Sequence, residues 1–172
     1  AVVGRLTAIK RPDRMLAVAR LVRDAVPGTV FVVCGAGDRL AATAAEAAAQ
    51  QLDIRFLGWR PDVETVYAAA DLTLLTSDNE GLPVCLVEAG LAGRAAVATD
   101  VGGVAEVVLH ERTGLLARPD AGELSAHVVR LLRDPELRGR MGRAAQEFTG
   151  RHYGSARLVA DTAALYERLG AR

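Results

Sequence analysis

Two cations stand close together near the start of the chain: Arg5, in Gly4-Arg5 after an apolar run, and Lys10 five residues on. Two fixed cations at the edge of a cleft suit a pyrophosphate, whose charge they can balance without a metal ion. The competing reading makes them solvated surface charges, as most Arg and Lys are. The densest polar segment is Ser77-Asp78-Asn79-Glu80-Gly81-Leu82-Pro83-Val84-Cys85-Leu86-Val87-Glu88-Ala89. Pro83 fits the first position of a helix. The N–H groups around Gly81, Val84 and Cys85 are then open at the positive end of that helix, which makes an anion site. Glu80 precedes the site, and Glu88 lies roughly 7–8 Å along the helix axis from Pro83. Carboxylates on opposite sides of one phosphate site suit a ligand with hydroxyl-bearing groups at both ends. A nucleotide-sugar is such a ligand, with a ribose on one side and a hexose on the other. On the competing reading Glu80 only answers the helix dipole and Glu88 is solvated. Leu86, Val87, Ala89 and Leu91 nevertheless give Glu88 apolar surroundings, where a carboxylate needs a partner.

Other candidate chemistries are weaker. Gly35-Ala36-Gly37 lacks the third glycine of the dinucleotide fingerprint, which disfavours an NAD site. It reads either as an ordinary turn or as a close backbone approach to a ligand. His110, His127 and His152 have no ligand spacing, and Cys34 and Cys85 sit singly in apolar runs, so neither a metal site nor a disulfide framework is expected.

The elements that must position these residues follow from the pattern of apolar runs. Ala1 to Val3, Thr29 to Cys34, Ile54 to Leu57, Leu72 to Leu75 and Ala95 to Thr99 read as strands, with a short extended piece at Gly114 to Leu116. Helical patterns run from Pro12 to Ala25, through the Ala-rich stretch to Gln51, from Asp62 to Ala70, from Pro83 to Leu91 and, after the Gly102-Gly103 turn, to Leu109. They continue from Asp120 to Arg133, Pro135 to Phe148 and Ser155 to Leu169. Continuous apolar strands alternating with helices predict a Rossmann-like α/β fold, a parallel sheet with helices on both faces. Ligands bind beyond the carboxyl ends of such strands, where the loops carrying Arg5, Gly37 and Glu80 lie.

Composition bounds the rest. The 172 residues are 51% hydrophobic and 24% charged, which excludes general disorder and fits one domain spanning 1–172. The 21 Lys plus Arg offset 21 Asp plus Glu, and aromatics are 4%, so no electrostatic footprint or stacking platform for nucleic acid is present. No apolar stretch reaches the ~18 residues of a membrane span and no signal peptide is seen, so a cytoplasmic location is expected. The chain starts without Met inside an apolar run and reads as a piece of something longer.

Gly4-Arg5-x4-Lys10, Ser77-x-x-Glu80-Gly81-x-Pro83-x4-Glu88-Ala89 and Ala98-Thr99-Asp100-x-Gly102-Gly103-x-x-Glu106 resemble, in order and spacing, the large group 1 family of retaining glycosyltransferases. So do Thr113-Gly114-Leu115-Leu116 and Leu132-Arg133-Asp134-Pro135, and the resemblance covers essentially the whole chain. It implies the carboxyl-terminal half of a GT-B architecture, which holds the nucleotide-sugar donor. The missing amino-terminal half would hold the acceptor, and any peripheral membrane contact would run through it. By resemblance, Arg5 and Lys10 bind the diphosphate and stabilise the leaving nucleotide, Glu80 contacts the donor sugar, and Glu88 binds the ribose hydroxyls. Ser77, Pro83, Val84 and the backbone amides of Gly81 and Leu82 would line the sugar and phosphate site. Gly4 and Gly37 would border the pyrophosphate, and Trp59-Arg60 the base. The implied donor is a UDP- or GDP-linked hexose and no cofactor or metal is expected; the sequence contains no Asp-x-Asp pair. Arg11 departs from the family pattern, standing where Gly usually follows the motif lysine, and Gly93-Arg94-Ala95 replaces the frequent Gly-x-Pro. A non-catalytic nucleotide-binding module of the same fold is the alternative.

Overall fold

A computed structural model describes residues 1–170 of the chain. Six parallel strands, β1 (Val2–Val3), β2 (Phe31–Cys34), β3 (Ile54–Gly58), β4 (Leu72–Leu75), β5 (Ala95–Thr99) and β6 (Gly114–Ala117), form two three-stranded ladders, β1-β2-β3 and β4-β5-β6. The ladders meet edge to edge: Leu74 N–H donates to the Ala1 carbonyl at 2.8 Å, and the Ala1 nitrogen donates to the Leu72 carbonyl at 2.7 Å. The spatial order is therefore 3-2-1-4-5-6, and the chain reverses its direction of winding between β1 and β4. In open α/β sheets that reversal leaves a crevice at the carboxyl ends of the two central strands.

Helices α1 (Pro12–Ala25), α2 (Leu40–Ala49), α3 (Val63–Ala69), α4 (Val84–Leu91), α5 (Val104–Val107), α6 (Ala121–Arg133), α7 (Pro135–Tyr153) and α8 (Ser155–Gly170) complete the fold. Strand β5 shows why both faces are covered. Ala95 and Val97 belong to one apolar cluster, with Met15 and Val18 of α1 and Leu124 and Leu131 of α6. The alternate residues Ala96 and Ala98 join Leu86 and Val87 of α4 and Val104 of α5 in a second cluster. This period-two alternation with both faces buried accounts for the unbroken apolar run in the sequence.

Most elements fall where the sequence places them, with boundary differences. Strand β2 starts at Phe31, since Thr29 closes the preceding turn by donating to the Val26 carbonyl. Helix α3 occupies Val63–Ala69, inside the expected span. Helix α7 passes its expected end at Phe148 and runs to Tyr153, with the Thr149 hydroxyl donating back to the Ala145 carbonyl.

Two glycines of α7 test how tightly it packs. A methyl group on Gly142 would sit 2.2 Å from the Gly93 carbonyl oxygen, whereas one on Gly150 would meet open space. Alanine is the better helix former by about 1 kcal/mol. Gly150→Ala should raise the unfolding free energy, measured by urea titration, by up to that amount. Gly142→Ala should lower it by about 1–3 kcal/mol, because the clash is with backbone.

Candidate functional site at the sheet reversal

The crevice between β1 and β4 gathers Arg5, Lys10 and Glu80, whereas Glu88 lines none of the cavities described below. Arg5 is exposed just past β1, and Lys10 ends a short 3-10 turn, Ala8–Lys10. Together with Gly4, Thr76 and Ser77 they line a recess of about 30 Å³. Lys10 Nζ stands 2.5 Å from Glu80 Oε1, and the Ser77 hydroxyl donates to the same oxygen at 2.6 Å. Their side chains are 27% and 9% exposed, so the pair is largely withdrawn from water. Arg5 has no carboxylate partner among the described residues and is the cation at the cleft free to meet an incoming anion.

Pro83 is the cap preceding α4, in extended geometry, rather than its first helical residue, so the helix begins at Val84. Its carbonyl accepts from Leu86 N–H at 2.9 Å. The N–H groups of Val84 and Cys85 therefore lie in the first turn, with no acceptor inside the helix. Gly81, Leu82 and Val84 are exposed around this helix start, while Pro83 is buried beneath it. Burial pushes the Cys85 thiol up to about 11, which leaves it protonated and unreactive.

On the other side of the crevice an open cavity of about 490 Å³ is lined by Arg5, Gly37, Trp59 and Arg60, with Val63 at its back. Trp59 is 73% exposed, a broad apolar face at the rim. Arg60 is held by two bonds to Asp62, at 2.9 and 2.6 Å. Another cavity, about 500 Å³, opens at the amino ends of the strands beside Val30, Phe31 and Leu72. It lies at the end of the sheet opposite to Arg5, Lys10 and Glu80, and none of these lines it.

Three of the expected site residues have internal partners as well. Ser77 is 0% exposed with its hydroxyl on Glu80, so it orients the glutamate. Gly37 does line the cavity, but its need for glycine is internal: a methyl group there would lie 2.2 Å from the Leu6 carbonyl oxygen. Gly35 is constrained likewise, 1.9 Å from the Gly4 carbonyl oxygen, so this pair serves the packing of two loops on each other. Lys10, expected with Arg5 to bind a diphosphate, is paired here with Glu80. Glu88 has the partner its apolar neighbours require: the Tyr67 hydroxyl donates to Glu88 Oε2 at 3.1 Å.

The sequence reading passed over Arg14 and gave Arg11, Thr99 and the Gly102-Gly103 turn no part in holding the site's loops. Arg14 of α1 is 7% exposed and donates to the Thr76 carbonyl at 2.6 Å and to Asp78 Oδ1 at 2.7 Å. Arg11, at φ +52° where glycine is at ease, bonds Asp13 and Asp78, and the two arginines hold the Asp78 carboxyl below the usual carboxylate range. Thr99 Oγ1 donates to the Ser77 carbonyl at 2.8 Å, and Gly103 N–H to the Glu80 carbonyl at 3.0 Å. A methyl group on Gly102 would lie 1.9 Å from that same carbonyl, so the turn after β5 is moulded to Glu80. The signal was present as charged residues among the apolar positions of α1 and as the glycine pair, but the partners lie more than 60 residues away for Arg14.

Comparison with known proteins gives this site a context. A sequence profile described as "Glycosyl transferases group 1" matches residues 1–148. D-inositol 3-phosphate glycosyltransferase of Corynebacterium glutamicum is 35% identical over 177 aligned residues, covering 96% of this chain and 42% of its own length. N-acetyl-alpha-D-glucosaminyl L-malate synthase of Bacillus anthracis is 33% identical over 114 residues, 66% of this chain and 30% of its own. The chain thus spans less than half the length of these relatives. The crystal structure of the C-terminal domain of a group 1 glycosyl transferase from Francisella tularensis, LpcC, superposes with a TM-score of 0.77 at 20% identity, covering 88% of this chain and 84% of that one. Anabaena Alr3699/HepE, solved in complex with UDP-glucose, gives a TM-score of 0.83 at 24% identity over 99% of this chain and 49% of its own. The fold is the Rossmann-like carboxyl-terminal half of GT-B structures.

The ion pair at the crevice sets an expectation for bare anions. Glu80→Gln releases Lys10 and removes a negative charge from the cleft, so inorganic pyrophosphate should bind roughly threefold more tightly or better, on the scale of a partly exposed ion pair. Arg5→Ala should weaken it by a similar factor. Isothermal titration of both variants checks the pair of signs. Weaker binding to Glu80→Gln would mean that Lys10 does not face the anion.

Proposed function

The chain belongs to the group 1 glycosyltransferases, and from that premise we propose that it is the donor-binding domain of a retaining enzyme. That enzyme transfers a hexose from a nucleotide diphosphate sugar to an acceptor held by a further domain. The observation that carries the reading is the Lys10–Glu80 pair at the sheet reversal, beside exposed Arg5 and the open start of α4. On this reading the two partners separate onto the two halves of the donor. Lys10 turns to the diphosphate and Glu80 to the hydroxyls of the sugar.

The chemistry follows from where charge appears. As the bond between the sugar carbon and the diphosphate oxygen lengthens, negative charge builds on that oxygen and positive charge on the sugar. Arg5, Lys10 and the N–H groups at the start of α4 are placed to stabilise the first, in a crevice where little reorganisation is needed. Glu80, oriented by Ser77 and by the Gly102-Gly103 turn, is placed to stabilise the second. These cations supply the counter-charge directly, so the transfer step is assigned without a metal ion. Trp59 and Arg60 border the base, and Glu88 takes the ribose. UDP- and GDP-linked sugars are the donor classes.

In this reading the 172-residue chain binds donor without transferring it, because positioning both reactants supplies much of such a barrier and the acceptor has no site here. Titration with UDP, GDP and their hexose conjugates, with and without excess EDTA, tests it. Binding that survives chelation, with no transfer to purified acceptors, is expected. Binding lost on chelation overturns the metal-free assignment, and turnover by this chain alone overturns the half-site reading. Glu88→Gln should weaken free diphosphate and intact donor alike, by about tenfold, the scale of a hydrogen bond to a charged group.

A further inference from the structure

We infer that Tyr67 is a positioning residue that fixes which oxygen of Glu88 meets the nucleotide, and thereby sets the preference for a ribose that carries its hydroxyls; this rests on the assignment of Glu88 to the ribose. Tyr67 lies on α3, 1% exposed, with its hydroxyl 3.1 Å from Glu88 Oε2 and 2.9 Å from the Cys85 carbonyl oxygen. A phenol has one proton to give. Here it is shared between two acceptors, the Glu88 carboxylate, whose charge favours the bond, and the Cys85 carbonyl at the slightly shorter distance. Burial first, then the neighbouring Cys85 and Glu88, push the phenol's ionisation upward, so it remains a donor at any working pH.

The second acceptor matters as much as the first. Cys85 stands three residues before Glu88 on α4, so the phenol holds backbone and carboxylate of one helix turn together. A free glutamate spreads over several rotamers. This one is referenced to the helix axis, and the entropy of ordering it is spent on folding rather than on binding. Oε2 is occupied from inside, and Oε1 is the oxygen left for a ligand hydroxyl.

Helix α3 also reaches the open cavity. Val63 lines the 490 Å³ cavity with Trp59 and Arg60. Tyr67 follows four residues later, on the same helix face. One short helix therefore backs the cavity with one residue and grips the ribose carboxylate with the next on that face. The sequence Asp62-Val-Glu-Thr-Val-Tyr67 gives no hint of this, since a lone tyrosine in an apolar helix is usually core.

Tyr67→Phe keeps the ring and removes only the hydroxyl. Affinities of the 172-residue chain for UDP and GDP are compared with those for their 2′,3′-dideoxy forms by isothermal titration. The wild type should prefer the ribose form by about tenfold. Tyr67→Phe should shrink that ratio roughly threefold or more, with dideoxy affinity little changed. A packing role lowers both affinities, or the melting temperature, and leaves the ratio intact; that result overturns the inference while sparing the ribose assignment. In Glu88→Gln the further change Tyr67→Phe should no longer alter the ratio, and an undiminished effect there also overturns it. A wild type with no ribose preference overturns the role of Glu88, and this inference with it.

Discussion

The backbone junction between Ala1 and the β4 residues Leu72 and Leu74 is the contact on which the rest of the molecule depends. It makes two short strands, separated in the chain by α1, β2, α2, β3 and α3, into central neighbours. From there the first half of the fold winds away through β2 and β3 and the second half through β5 and β6. Loops leaving β1 and β4 must therefore part, and the space they leave is open to a ligand from the carboxyl edge. Arg5 and Lys10 follow one of these strands and Ser77 and Glu80 the other. No local feature of either segment would bring them together.

Bringing loops near one another does not hold them there, and the carboxyl edge is laced accordingly. Gly35 N–H donates to the Gly58 carbonyl, Leu6 N–H to Ala36, Asp78 N–H to Ile9, Gly103 N–H to Glu80 and Asp100 N–H to Ala117. These bonds run from the loop after β3 across the sheet to β6, tying each post-strand loop to its spatial neighbour. The Thr76 hydroxyl adds a bond to the Lys10 carbonyl, and Arg14 ties the end of β4 to α1. Each hydrogen bond contributes only about 1 kcal/mol net. Their value to the site is geometric, since the positions of Lys10 and Glu80 are set through backbone rather than through flexible side chains.

What could be read from the sequence follows the range of the interactions involved. Helix starts at Pro12 and Pro135, the cap at Asp120 and the buried strands are local or periodic signals, and they fell within a few residues of the structure. The cations, the two glutamates and the glycine-bearing loops were legible as candidate chemistry because their residue types and spacing are unusual. What stayed out of reach was a partner distant in the chain. Gly35 and Gly37 serve Gly4 and Leu6, Ser77 serves Glu80, and Arg14 serves the end of β4. Pro83 was misplaced by one position because proline is favourable at the first helical residue, whereas here its extended backbone makes it the cap. Tyr67 could not be told from a core tyrosine without the coordinates of α4.

The zero net charge of the chain takes on a local meaning at the cleft. Lys10 is matched by Glu80, Arg60 by Asp62, and Arg11 and Arg14 by Asp13 and Asp78. An anion arriving alone finds Arg5 and a helix start, and must take Lys10 from a carboxylate that gains nothing in return. A diphosphate carrying a sugar brings hydroxyl donors to that carboxylate as it takes the lysine, so both partners are satisfied again. On the proposed reading, discrimination between an intact donor and a bare nucleotide diphosphate is therefore built into the ion pair. Once the sugar has left, Glu80 loses its donors and returns to Lys10, which weakens the hold on the product. The ion pair that spans the crevice without ligand is the same contact that, on this reading, would favour release after transfer.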